Sequence, residues 1–285
     1  MPRYAKKTTR RRRVTRRKTT TKRKYVKKSK AMTAKRVKAI AATKKKDHYL
    51  TGERLPNQEW PDGRGLQYIN MTLNAHTYMI LHSPSYIPFR DEPTPYGRNA
   101  HRIHHTSYAE KMELDVGFDC SVEHRRIVFS NNYEDRRAVC AIPGPNSSQF
   151  ETLRNCTQVE LDDFQDIFQG TRNRDWYHYT RAPLDRKKVT VHYDKLFTHT
   201  PKNPLGQVFN RKFYHKINKW LDFPDVEHGN DQISEGNWPG IKSPKIFIMD
   251  MFKSARDTTK PDVSPRGEQY MSLSFDATNY WTEPS

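Results

Sequence analysis

The sequence predicts an all-β protein, a single antiparallel jelly-roll sandwich with one short helix and long loops, preceded by a disordered basic N-terminal arm. Three observations carry that expectation. Positive charge is gathered at one end of the chain, turn formers recur at short intervals through the rest, and the apolar residues between them alternate with polar ones more often than they repeat at helical spacing.

The charge is the plainest of the three. The chain has 285 residues and a formal net charge of +19. Of its 51 Lys and Arg, 22 lie between Met1 and Lys46, where there is no Asp or Glu, leaving 29 basic against 32 acidic residues from Asp47 onward. Residues 1–46 are therefore expected to form a separate arm and residues 47–285 a single β-rich domain. Like charges at this density repel one another and keep a segment extended, and they point to a polyanion as partner, nucleic acid or an anionic membrane. Low-complexity Arg, Lys and Thr sequence cannot bury a core. The stretch from Ala31 to Lys46 is richer in Ala, with Val37 and Ile40 three apart, and suits a nascent helix once its charge is neutralised.

After Asp47 the turns fall at Pro61-Asp62-Gly63, Ser83-Pro84, Pro93 to Gly97, Pro143 to Asn146 and Pro201 to Pro204. Between them the clearest strand is Met112 to Val122, in which Met112, Leu114, Val116, Phe118, Cys120 and Val122 share one face and polar residues or Gly117 the other. Val189, Val191 and Tyr193 form one apolar face, and Met271, Leu273 and Phe275 another. Lys245 to Phe252 is apolar on both faces and reads as a fully buried strand. Further strands are expected at Gln67 to Leu73, Thr77 to Leu81, Arg126 to Ser130, Ala138 to Ile142 and Val208 to His215. In Val159 to Phe168 the spacing of Leu161, Phe164, Ile167 and Phe168 predicts a short amphipathic helix, stopped by Gly170.

No apolar run approaches the ~18 residues of a bilayer span, and no hydrophobic stretch follows the N-terminal charges, so neither a membrane partner nor a secretory signal is expected. Cys120, Cys140 and Cys156 are too few and too scattered for a disulfide framework, and buried free thiols are expected. His101, His104 and His105 lack the spacing of a metal-dependent nickase. Tyr4 with Lys7 and Tyr25 with Lys28 are chance pairings in a Lys-rich arm, and there is no phosphate loop. Asp162 and Asp163 read as a solvated helix face. Asp175-Trp176-Tyr177 and Tyr280-Trp281 read as core or contact aromatics ahead of base-stacking platforms. No catalytic residue, metal or cofactor is expected, and no enzymatic activity.

The expected DNA-binding residues are those of the arm: Arg3, Lys6, Lys7, Arg10, Arg11, Arg12, Arg13, Arg16, Arg17, Lys18, Lys22, Arg23, Lys24, Lys27, Lys28, Lys30, Lys35, Arg36, Lys38, Lys44, Lys45 and Lys46. With only Tyr4 and Tyr25 as aromatics, the arm should bind phosphates without reading sequence. The runs Arg10 to Arg13, Arg16 to Lys18, Lys22 to Lys24 and Lys27-Lys28 also fit a nuclear import signal, which makes host import receptors expected partners.

The order of short motifs resembles that of genomovirus coat proteins, from small circular single-stranded DNA viruses distantly related to the geminiviruses. The similarity lies in Met32 to Val37 and Lys44 to Asp47, then Leu161 to Gly170, Asp175-Trp176, Ala182 to Asp185, and Val191 to Lys195. It continues through Asn218-Lys219, Asp225 to Gly229, Ile248 to Phe252 and Tyr280-Trp281. Thr51 to Asn99 has no counterpart, and Thr282 to Ser285 departs from the family's ending. The resemblance implies one jelly roll per subunit and a homo-oligomeric T=1 icosahedral shell of about 60 copies. It also implies a packaged circular single-stranded DNA genome, and location in the virion and, during assembly, the host nucleus. The alternative is a non-capsid nucleic-acid-binding protein: a viral movement or nuclear shuttle protein, or a ribosomal or chromatin protein. A ribosomal protein should carry basic patches on its globular part, and a shuttle protein need not form a closed shell.

Overall fold

The computed structural model describes residues 41–53, 69–72, 77–90, 95–117, 121–143, 150–160, 162–224, 237–254 and 270–284. Their strands are β1 (Thr43–Gly52), β2 (Ile69–Thr72), β3 (Tyr78–His82), β4 (Arg102–Val116), β5 (Val122–Asn131), β6 (Cys140–Pro143), β7 (Phe150–Asn155), β8 (Thr190–His199), β9 (Gln207–Asp222), β10 (Lys245–Ser254) and β11 (Tyr270–Glu283). The large sheet runs β6-β7-β1-β11-β4-β9, with β2 also on β11, and the small sheet runs β3-β10-β5-β8. Eight of these strands, β1, β3, β4, β5, β8, β9, β10 and β11, make the sandwich. Numbered first to eighth along the chain, they are ordered 1-8-3-6 in one sheet and 2-7-4-5 in the other. That nesting of two Greek keys is the jelly roll, as the sequence predicts.

The chain packs in three layers, two sheets and a covering segment, with two cores between them. Between the sheets, Met112, Leu114, Val116, Met271, Leu273 and Phe275 of the large sheet meet Tyr78, Ile80, Val122 and Phe252 of the small one. On the far side of the small sheet, Met79, Leu81, Ile127, Phe129, Phe247, Met249 and Met251 pack under Phe164, Ile167, Phe168, Trp176, Tyr179 and Val189. β10 is thus covered on both faces, as its apolar run, interrupted only by Asp250 between Lys245 and Phe252, requires.

The covering layer is built by the central motifs that carry the family resemblance. Gly170 has φ +80, and a Cβ there would lie 2.7 Å from Asp175 Oδ2, the carboxylate that accepts from the Thr171 amide at 2.7 Å. Trp176 Nε1 donates to the Gln169 carbonyl at 2.9 Å, and its ring packs on Tyr179 at 4.9 Å. Arg125 clamps the layer down: its guanidinium donates to both Asp194 oxygens at 2.8 and 2.7 Å and to the Ala182 carbonyl at 2.6 Å.

Three expectations change. Met112 to Val122 is not one strand: β4 ends at Val116 and β5 begins at Val122 in the other sheet. Val116 and Val122 are both fully buried, so the alternation persists across the connection and hides it. The helix expected at Val159 to Phe168 is a six-residue 3-10 segment, Asp162–Ile167; Phe164, Ile167 and Phe168 do face the core, and the tighter turn suffices to seat them. The arm boundary after Lys46 falls inside β1, which begins at Thr43. The expected helix over Ala31 to Lys46 lies mostly outside the described residues.

Candidate nucleic-acid interface

Of the expected DNA-binding residues, Arg3 to Lys38 lie outside the described residues, and Lys44, Lys45 and Lys46 stand on β1. A strand sends alternate side chains to opposite faces, so these three are not equivalent. Lys45 points inward and is 7% exposed. Its Nζ lies 3.2 Å from Glu283 Oε2 and donates to the Gly97 carbonyl at 3.2 Å and to Asn99 Oδ1. Glu283 Oε1 in turn accepts from the Asn99 amide and from Trp281 Nε1. Lys45 is therefore tied into the fold at the start of β1, its amine engaged by Glu283, Gly97 and Asn99, unlike its two neighbours. Lys44 and Lys46 are exposed on the other face.

That other face is the outer surface of the large sheet, and the strand register arranges it in rows. Lys44 lies beside Thr282, His104 and Trp220; Lys46 beside Tyr280, Ser107 and Lys216; His48 beside Thr278, Ala109 and Tyr214; and Leu50 beside Asp276, Lys111 and Lys212. Beyond Leu50 the rows turn acidic and neutral, with Ser274, Glu113 and Asn210, then Ser272, Asp115 and Val208. The positive end of the face is the end where β1 begins. Arg102 is tied to Asp222 at 3.2 Å and holds its guanidinium 5.2 Å from the Trp220 ring, which also packs on His104 at 4.9 Å. Asn218 takes a positive φ of 53 at the register shift beside Lys216 and Lys219.

Between the sheets lies a second charged group of a different kind. Glu110, Arg126, Arg154, Asp250 and His124, from five positions on four strands, are all at most 3% exposed. Arg126 Nε approaches Asp250 Oδ1 at 2.9 Å, Arg154 reaches Asp250 at 2.7 Å and Glu110 at 3.3 Å, and Arg126 also pairs with Glu110. The two guanidiniums lie over Phe213 at 3.9 Å and Phe275 at 4.2 Å. Despite burial, the two arginines hold the Glu110 and Asp250 carboxyls below their ordinary range. Two cations and two anions balance, and nothing in solution can reach them, so this centre ties the sheets together and is not a site for a ligand.

Other singled-out residues fall into structural roles. His104 and His105 point to opposite faces of β4; His105 is buried against Asn279, and His101 stacks on Phe89. Among the described residues no group of three or more His, Cys, Asp or Glu is placed to hold a metal, and no helix is long and apolar enough to cross a membrane. Cys140 and Cys156 are both fully buried; Cys120 lies outside the described residues. Trp176 and Trp281 are core residues, as expected, whereas Tyr177 is 72% exposed. The Asp162 and Asp163 side chains lie outside the described set. A cavity of about 880 Å³ opens beside Arg136, Arg137, Phe164, Lys187 and Lys188.

The sequence matches no family model and no curated protein. Among solved structures, the chain aligns with the Merkel cell polyomavirus VP1 unassembled pentamer at 10% identity and a TM-score of 0.13, over 85% of this chain and 95% of that one. Trichodysplasia spinulosa-associated polyomavirus VP1 in complex with GM1 oligosaccharide aligns at 8% identity and TM-score 0.11, over 85% and 78%. The T13 IBDV viral particle aligns at 10% identity and TM-score 0.09, over 81% of this chain and 44% of that one. Likeness at this level carries no argument about this chain, and the jelly roll rests on its own strand order.

Proposed function

We propose that the protein is the coat subunit of a small single-stranded DNA virus of the genomovirus type. Copies of the jelly roll assemble into a T=1 icosahedral shell, and the basic arm neutralises and packages the genome. The observation that supports this reading most is segregation of charge: a strongly cationic leader runs into the first strand of a jelly roll that is otherwise nearly neutral. Jelly rolls also serve lectins and cupins, but neither use calls for such a leader.

With Lys44 to Lys46 assigned to β1, the segment ahead of the strand holds 19 Lys and Arg and no acid. About 60 copies then carry on the order of 1,100 positive charges, enough for a kilobase-scale single strand with small cations covering the remainder. Such binding is indifferent to sequence and falls steeply with salt. The runs from Arg10 to Lys28 additionally serve nuclear import, which a fluorescent reporter fused to residues 1–42 tests by its accumulation in nuclei; uniform fluorescence throughout the cell overturns that role.

The deciding experiment is electron microscopy and size-exclusion chromatography of the purified full-length protein, with nuclease digestion of the nucleic acid that accompanies it. Uniform particles about 20 nm across holding nuclease-resistant single-stranded DNA are expected. A protein that binds DNA yet remains in small oligomers under all conditions is a movement, shuttle or chromatin protein, and the capsid reading falls.

A further inference from the structure

We infer that the bare outer face of the large sheet is a second binding surface for single-stranded DNA, one that stacks bases on Tyr214 and Trp220 between rows of lysine. The inference rests on the coat-protein reading and deepens it: the arm grips phosphates, and the folded domain grips bases.

The face has both components that sequence-tolerant single-strand binding uses, a positive track for the backbone and aromatic rings for the bases. Tyr214 is 67% exposed and Trp220 51%, both on β9, while Lys212 and Lys216 flank Tyr214 on the same face of that strand. Lys111 sits beside Lys212, Lys46 is in the row of Lys216, and Lys44 is in the row of Trp220. Asp276 and Asp222 are the acids among these rows, and each is paired, with Lys111 and with Arg102.

A simpler account explains part of this. β9 is an edge strand, and lysines on an edge discourage pairing with other chains. That account covers Lys212 and Lys216. It leaves unexplained why two large aromatics stand exposed between and beside them, one with its ring supported by His104 and Arg102.

The occupant follows from charge and continuity. The arm enters the fold through β1, whose first outward residues, Lys44 and Lys46, open the basic end of this face, and the acidic end lies farthest from that entry. A strand held by the arm is thereby delivered onto the face. From the Trp220 row to the Tyr214 row is about 15–20 Å along β9, room for a few nucleotides with bases unstacked onto the two rings.

The test separates bases from phosphates. Full-length protein is titrated with oligothymidylate and with an abasic strand of equal length, following anisotropy and tryptophan fluorescence at a salt concentration where arm binding is weak. The wild type should bind the base-bearing strand roughly 10- to 100-fold more tightly, as expected for one or two stacked bases. The Tyr214→Ala/Trp220→Ala double variant should bind both strands equally, with abasic affinity unchanged, and the Tyr214→Phe/Trp220→Phe variant should keep the preference. A Lys44, Lys46, Lys212 and Lys216 to Gln variant should lower the log-log salt slope by about 0.7 for each lysine engaged.

A wild type that binds both strands equally well overturns the inference and leaves the arm-based reading standing. A wild type that binds neither strand at that salt overturns the inference, and one that binds neither at low salt as well overturns the arm-based reading too. A double variant that keeps its preference for bases but no longer forms particles identifies the face as a contact between subunits, which also overturns the inference.

Discussion

The two sheets of this jelly roll treat their outer faces in opposite ways. The small sheet is roofed by the stretch from Val159 to Val189, which carries Phe164, Ile167, Phe168, Trp176 and Tyr179 onto Met79, Ile127, Phe129, Met249 and Met251. Among the described residues no such roof lies over the basic end of the large sheet: Lys44, Lys46, His48, Lys111, Lys212, Tyr214, Lys216 and Trp220 stand exposed there. A sheet face that is covered within the chain is apolar. The one left open is cationic and aromatic. The same contrast separates the interior histidines from the surface ones, since His82, His105, His124, His199 and His215 all lie buried between the sheets while His48 lies on the open face.

Acid should have the largest effect, and it should act on the interior. Burial holds all five interior histidines below the ordinary imidazole value: His105 and His215 at about 4, His199 at about 3, and His82 and His124 lowered likewise. Between those values and about 6.5 the unfolded chain takes up protons that the native one refuses, so stability is full above pH 6.5 and is lost as pH falls. Each group costs about 1.4 kcal/mol per pH unit in that window. The urea midpoint should drop steadily from pH 7 to pH 5, and a flat profile means that the interior admits the charge. Glu110 and Asp250, whose carboxyls are depressed by Arg126 and Arg154, add to the loss only in stronger acid.

Next in size is the buried charge centre. Arg126→Met removes one of the two cations and leaves Glu110 and Asp250 to share Arg154 alone, and it should cost about 3–5 kcal/mol, read as a fall in melting temperature on the order of 10 °C. A replacement that leaves stability unchanged shows that the carboxyls take up protons freely, and that the centre does not tie the sheets.

The contrast between roof and open face is sharpest in two tryptophans. Trp176→Ala opens a cavity under the roof and should cost about 3 kcal/mol, whereas Trp220→Ala removes an exposed ring and should stay within about 0.5 kcal/mol. Equal losses would mean that the open face is as much part of the core as the covered one.

The smallest effect expected concerns the root of the arm. Removing residues 1–41 should leave thermal stability close to that of the full chain. Removing residues 1–46 deletes the strand partners of Tyr280, Trp281, Thr282 and Glu283 and leaves Glu283 without Lys45, at a cost of about 2 kcal/mol. Two truncations that melt together would place the start of the folded domain later than Thr43.

Much of the architecture was legible because its signals are local. Charge density announces the arm, Met271, Leu273 and Phe275 alternate on β11, and the run from Lys245 to Phe252 can only be a strand covered on both faces. The resemblance motifs from Phe168 to Tyr193 proved to be parts of the roof and its clamp, which the sequence named without showing what they cover. β1 was missed because its inward positions are Lys45, Asp47, Tyr49 and Thr51, where only one residue is strongly apolar, so the alternation that marks a strand is absent.

The sequence by itself determined that a polycation is joined to a neutral β domain, since charge and period-two patterning are properties of neighbouring residues. Only the tertiary structure decided which lysine is an anchor and which belongs to a surface. Lys45 meets Glu283 across most of the chain's length, Arg126 and Arg154 find Glu110 and Asp250 from separate strands, and Tyr214 and Trp220 become one face with Lys44 and Lys46 only through the register of four strands. Such pairings depend on chain segments brought together by sheet closure, and no local pattern encodes their partners.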